Sequence, residues 1–404
     1  MTKFLLTHYQ KYIISLLILF VPGFIHGQTR FFEFSLDTII YTDLLFSSDF
    51  YFHHNLAYTS LKNTVYFHKQ EGMADSLLTF YSHNLETQQF DSLCFQSNDD
   101  LRSILRFDPQ IISVNDSFLV MKYTDELLIF KRTTGNLTLV RLLHLNETVT
   151  HLKILSDSTL FLCYKTLVFS DTGSKAMGHL HIYNWNNNEY EYSLHKEDIS
   201  YFLMYWQASS TITSTNTSIY YADKFQNYVC RYNFKLELLD SIPLKKPRNW
   251  RNSARSNAGK IRSLEKISDQ DQFYNQASQL VEELTIMSRL STLNDTTLIA
   301  VYYRKKDSKA FCEILRIRDG EILSLGIQED TNLDPNRIIT RTNINNIFRR
   351  RMFYAGENKL IIFESTDTIN AIGMKEEDRY AAMRKYFETH PRKYGMLIFS
   401  VKIL

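Results

Sequence analysis

Turn-forming residues are scarce: only 12 glycines and 6 prolines occur in 404 residues. That scarcity excludes collagen-like repeats and Gly/Pro-rich low-complexity segments. Charge of one sign is also lacking, since 46 Lys and Arg face 44 Asp and Glu for a formal net charge of +2. No global field therefore draws the chain to nucleic acid, which leaves local patches to consider. Four cysteines occur, Cys94, Cys163, Cys230 and Cys312. No Cys-x-x-Cys or Cys/His spacing among them predicts a zinc site. An exported chain could pair them, but each lies in an apolar, strand-like run, which favours buried free thiols. Long hydrophobic runs are missing too: past residue 27 none approaches the roughly 18 residues of a membrane span. GxSxG, P-loop, GxGxxG and HExxH motifs do not occur.

What is present points to a β protein outside the cytoplasm. Hydrophobic residues make up 44% and charged residues 22%, a globular balance. Phe (28) and Tyr (25) are abundant, and aromatic side chains suit pleated surfaces. Lys3 and Lys11, the apolar run from Ile13 to Phe20, the break Val21-Pro22-Gly23 and the small residue Gly27 have the order of a secretory signal. Residues 1–27 are therefore expected to be a signal peptide and 28–404 the mature chain, periplasmic or extracellular. No cysteine near the cut allows lipid attachment there.

A unit recurs along the chain, each copy a polar turn followed by strand-forming runs. The clearest has Asn115-Asp116-Ser117, Phe118 to Tyr123, Leu127 to Lys131, a turn at Thr134-Gly135-Asn136, and Leu137 to Leu145. Others begin at Thr64, Thr159, Ser218, Thr297 and Lys359, making six. Runs such as Leu160-Phe-Leu-Cys-Tyr164 lack alternation, as strands covered on both faces do. Last strands such as Tyr190-Glu-Tyr-Ser-Leu194 alternate, as an outer edge would. This contrast predicts an all-β, six-bladed β-propeller with four-stranded antiparallel blades of about 40–50 residues each. The sixth copy lacks a fourth strand. Arg30 to Leu36, a strand without a blade, is expected to pair with Met396 to Ile403 and close that blade. A pair of β-sandwiches is the alternative.

The stretch from Ser218 to Phe234 (Ser-Ile-Tyr-Tyr-Ala-Asp-Lys-Phe-Gln-Asn-Tyr-Val-Cys-Arg-Tyr-Asn-Phe) resembles the strand-turn-strand signature of NHL- and TolB-type six-bladed propellers. The chain as a whole is similar in plan to envelope propeller proteins of unknown function in Gram-negative bacteria. That resemblance implies a fold and a binding habit, and gives Asp223 a structural, turn-bonding role.

Turns between strands one and two, and between three and four, share one face of such a fold and are short here. The long segments, 96–110, 168–177, 245–283, 328–345 and 365–394, are expected on the opposite face, with helical insertions at about 245–283 and 365–394. Long loops on a rigid scaffold are where binding resides. The first insertion carries Lys245, Lys246, Arg248, Trp250, Arg251, Arg255, Lys260 and Arg262, followed by Lys266. This basic run is read either as a docking site for a polyanion or as a solvated loop. Ser268-Asp-Gln-Asp271 then predicts a helix start, with Phe273, Ala277 and Leu280 at helical spacing. A second helix is expected over 375–390, stopped by Pro391, and Arg349-Arg350-Arg351 extends the basic surface or edges a strand.

His179-Leu-His181 puts two imidazoles on one side of a strand, but no third ligand can be assigned from the sequence. His53 and His54 point apart if extended. The Ser-x-Asp-x-Gly-x-Thr-Trp turn of sialidase-like propellers is absent. No catalytic residue, cofactor or metal is assigned. The expectation is an exported, non-enzymatic binding or scaffold protein that recognises a protein or anionic glycan partner through the long-loop face. Nucleic acid is disfavoured as a partner. The alternative is a hydrolase or lyase acting on a glycan or small metabolite at the funnel.

Overall fold

The computed structural model describes residues 32–45, 56–69, 77–96, 109–123, 126–145, 149–197, 211–222, 228–245, 259–260, 262–283, 285–304, 309–318, 321–329, 352–356, 358–365 and 393–404. The expected signal peptide, His53-His54, Asp223, Arg349 to Arg351 and the helix expected over 375–390 lie outside them. The described chain is all-β and of propeller type, with antiparallel four-stranded sheets as the repeating unit.

Strand β1 (Phe32–Leu45) stands first. Next come β2 (Leu56–Leu61), β3 (Thr64–Lys69), β4 (Leu77–Asn84) and β5 (Phe90–Gln96). They are followed by β6 (Pro109–Val114), β7 (Phe118–Tyr123), β8 (Glu126–Thr133) and β9 (Asn136–His144). A single parallel bridge, Cys94 to Asn136, joins these two antiparallel runs edge to edge. One further sheet is β10 (Val149–Ile154), β11 (Thr159–Ser170), β12 (Gly173–Asn184) and β13 (Glu189–Glu197). Another is β14 (Ile212–Ser214), β15 (Ile219–Tyr221), β16 (Tyr228–Tyr232) and β17 (Leu238–Pro243). Helix α1 (Gln270–Glu283) precedes β18 (Thr285–Asn294), β19 (Thr297–Arg304), β20 (Lys309–Arg318) and β21 (Glu321–Glu329). The last sheet runs β1, β24 (Lys393–Ile403), β23 (Lys359–Ser365), β22 (Met352–Gly356).

Burial follows the sequence pattern. Leu160 to Tyr164 of β11 and Thr297 to Tyr302 of β19 are buried without alternation, because neighbouring sheets cover both faces. Outer strand β9 alternates, with Leu137 buried and Val140 exposed. Apolar side chains of adjacent sheets meet face to face. Val120, Leu127 and Ile129 pack against Leu160 and Leu162. On the other side of the same sheet, Phe161, Leu180 and Ile182 pack against Ile219 and Tyr221.

Polar side chains fix the short turns. The Asn115 carboxamide accepts from the Ser117 and Phe118 amides, and Asn84, Asn184, Asn233 and Asn294 cap their own turns in the same manner. These Asx turns replace glycine in the tight turns, which is how so few glycines suffice. First strands are tied to their neighbours by polar contacts. The Ile154 amide donates to Ser113 Oγ at 3.0 Å, Lys153 Nζ donates to the Thr215 carbonyl at 2.8 Å, and the Thr213 and Thr292 hydroxyls meet at 2.6 Å.

The N-terminal strand pairs antiparallel with β24 as expected, from Phe32 opposite Ile403 to Leu36 opposite Phe399. It also runs on past a bulge at Asp37 to Tyr41 opposite Gly395. Asp37 accepts from Ser400 Oγ at 2.6 Å and from Lys359, which clamps β1 to β24 and β23. Residues 168–177 correct the sequence reading. They form the tip of a hairpin of two twelve-residue strands, β11 and β12, rather than a long loop, because unbroken pairing from Thr159–Asn184 to Ser170–Gly173 satisfies their backbone. None of the four cysteines forms a disulfide; three are buried and Cys94 is half-buried.

Candidate functional site

The insertion leaves β17 at a fixed point. The Lys245 amide donates to Glu313 Oε1 at 2.8 Å, while the Tyr302 and Ser324 hydroxyls donate to the same carboxylate at 2.7 and 2.6 Å. Glu313 is fully buried, so these donors stand in for water around its oxygens. Burial, then the Glu313 charge, holds the Tyr302 hydroxyl well above the ordinary tyrosine range, so it remains a donor.

Residues 259–260 and 262–264 are helical, and the exposed side chains of Lys260 and Arg262 stand on that turn. Leu264 and Ile267 are buried in the core between β14–β17 and β18–β21. Asp269 caps α1: its carboxylate accepts from the Gln272 amide at 2.7 Å, within the helix start expected from the sequence. A 14-residue helix is marginal alone, so burial of Phe273, Ala277 and Leu280 against Tyr220, Met287 and Leu290 holds it.

The β11–β12 tip closes on this segment. The Ser174 amide donates to the Glu265 carbonyl at 2.9 Å and its hydroxyl to the Leu264 carbonyl at 3.0 Å. Gly173, at φ +137°, lies so near that an added Cβ would stand 2.1 Å from the Glu265 oxygen. Beside this clasp the hairpin presents exposed Lys175, a basic residue that the charge run did not include. Of the expected site, Lys245, Lys260 and Arg262 are exposed here, while Lys246, Arg248, Trp250, Arg251 and Arg255 lie outside the described residues.

A second constellation completes the His179-Leu-His181 pair. His195 of β13 lies opposite His179, and one nitrogen from each of the three rings falls within 4.8 Å of the others. The register depends on a bulge. From Asn184–Glu189 to Tyr183–Tyr190 the pairing would place Leu194 opposite His179, but a shift between Ile182 and Tyr183 adds one residue to β13. That residue turns His195 to the side of His179 and His181.

His179 Nδ1 and His195 Nδ1 are 2.7 Å apart, His179 Nε2 and Thr166 Oγ1 2.8 Å, and His181 Nδ1 and Ser193 Oγ 2.7 Å. Tyr164 stacks on both β12 imidazoles, at 4.7 and 5.1 Å, and Tyr190 covers His181 at 4.3 Å. His181 is buried and its Nε2 has no hydrogen-bond partner, whereas His195 is exposed. Burial, then the charges of His195 and His179, lowers the His181 pKa to about 4. The imidazole is therefore neutral and able to offer a lone pair.

Titratable groups also occur on first strand β10. Burial, then the Lys153 charge, lowers His151 to about 4, and burial lowers Lys153 to about 8 despite the Asp295 charge. The Lys153 ammonium donates to the Ser214 and Thr215 carbonyls, so it serves the junction of two sheets.

No family model and no curated protein matches the chain. Among solved structures it is similar to an exported protein of Bacteroides fragilis (8% identity, 94% of this chain and 97% of that one, TM-score 0.48). A DUF4221 family member from Bacteroides vulgatus follows (10%, 92% and 99%, TM-score 0.43). The calcium-binding regucalcin of Agrobacterium tumefaciens is more distant (9%, 85% and 90%, TM-score 0.36). Likenesses of this strength carry no argument about function.

Proposed function

We propose that the chain is a six-bladed propeller, exported through residues 1–27, that acts as a binding or scaffold protein. It recognises a protein or anionic glycan partner through the face bearing the 245–283 insertion. The blade count is supported by the order of first-strand neighbours, β2 beside β6, β6 beside β10, β10 beside β14, β14 beside β18, β18 beside β22 and β22 beside β2. Closure by β1 is supported by its pairing with β24.

The clasp of Ser174 on Leu264 and Glu265 is the observation that carries the binding reading. A solvated basic loop needs no such anchor. Here the chain just after Lys260 and Arg262 is held by two hydrogen bonds and a buried Leu264. Preordered cations bind an anion with less loss of conformational entropy than a free loop would.

A sulfated oligosaccharide titrated against wild type and a Lys260→Glu, Arg262→Glu double variant tests this reading. Each reversed charge near the surface alters affinity several-fold, so the pair should weaken binding by at least about tenfold and flatten its salt dependence. Equal affinity in both proteins would remove the basic face from the proposal.

A further inference from the structure

We propose that His179, His181 and His195 form a metal site for a divalent ion of the zinc class, with three imidazole ligands and a fourth position open to solvent. The inference does not depend on the polyanion reading and concerns a different surface.

Three observations carry it. The ligand atoms are already gathered, one from each ring within 4.8 Å of the others. A tetrahedral ion with nitrogen at about 2.0–2.1 Å needs its ligands about 3.4 Å apart, a change within reach of small ring rotations. Next, each β12 imidazole has a hydroxyl at its other nitrogen, Thr166 Oγ1 at His179 and Ser193 Oγ at His181. Where those hydroxyls accept, His179 Nδ1 and His181 Nε2 retain their lone pairs, the tautomers a metal requires. Finally, His181 Nε2 is buried with no hydrogen-bond partner, a position that burial disfavours and a ligand bond would relieve.

The three histidines also differ in access. His181 is buried beneath Tyr164 and Tyr190, while His195 is exposed, so an ion enters and keeps its open position from the His195 side. Three histidines with an open position suit zinc, and imidazole also accepts cobalt(II) as a spectroscopic substitute. The ion would cross-link β12 to β13 and replace the His179–His195 hydrogen bond.

The test uses the whole chain, purified without a histidine tag and stripped with chelator. Zn2+ uptake is followed by calorimetry and Co2+ uptake by visible absorption. One equivalent of Zn2+ per chain, and Co2+ bands of a four- or five-coordinate nitrogen site, are the expected result. His195→Gln should abolish both, with its melting temperature in chelator matching that of wild type. If that variant does not fold, Thr166→Val serves instead: it keeps all three ligands and should weaken Zn2+ binding by at least about tenfold. Absence of saturable uptake by wild type, or uptake unchanged by the folded variant, overturns the site.

Discussion

Single side chains set the pH limits of this molecule. His68 is buried, with Nδ1 2.8 Å from the Thr79 carbonyl oxygen, and burial lowers its pKa from 6.5 to about 4. As pH falls below 6.5 the unfolded chain takes up a proton that the folded chain refuses until about pH 4. Stability present above 6.5 is therefore lost progressively across that window. For a shift of this size the loss approaches about 3 kcal/mol once pH is below the folded pKa. His68→Gln keeps a donor for Thr79 without the titration, so its unfolding free energy should fall less steeply between pH 6.5 and 4. Denaturant melts at several pH values measure this, and an unchanged slope would refute it. The three-histidine cluster shows what the sequence hides at the residue scale. His179 and His181 were visible as an i, i+2 pair, but His195 joins them only through a bulge that no residue pattern announces.

Elements in this chain are legible where one period dominates. Strands such as β19 read as buried because every residue from Thr297 to Tyr302 is covered, and α1 shows its cap, Asp269, and its apolar stripe in order. The β11–β12 hairpin was misread as a loop because Ser170-Asp-Thr-Gly173 has the composition of one; tertiary contact with Leu264 and Glu265 helps extend the strands to the tip. Gly173→Ala tests that contact. A side chain at φ +137° is strained by about 1–3 kcal/mol before its clash with the Glu265 carbonyl is counted. The expected outcome is a released clasp, seen as faster limited proteolysis within 245–283, while Thr172→Ala leaves the rate near wild type. Equal rates in all three proteins would mean that the clasp does not order the insertion.

At the scale of the whole molecule, the pairing of β1 with β24 joins residues near the two ends of the described chain. Asp37 is the polar lock on that junction. Burial raises its carboxyl pKa, but hydrogen bonds from Lys359 and Ser400 and the Lys359 charge outweigh this and leave it below 3.8. Its contribution to stability is therefore present above the unfolded value and is lost as pH falls through the lower folded value. Asp37→Asn should lower the melting temperature at neutral pH and quicken hydrogen exchange in Phe32–Tyr41. The difference from wild type should shrink toward zero at acid pH. A variant with unchanged exchange in β1 would mean that backbone pairing alone holds the junction.

The amino-acid pattern alone determined that the chain builds strands in repeated groups, where several of the polar turns fall, and that residues 245–283 carry charge and a helix. Those properties are local, set by alternation, propensity and side-chain caps within a few residues. Tertiary structure decided which residues meet: Ser174 with Leu264, Lys245 with Glu313, and His195 with His179. Each of these depends on register between strands or on packing between distant segments. A shift of one residue reverses the side on which a strand residue stands, so composition and spacing cannot specify such meetings in advance.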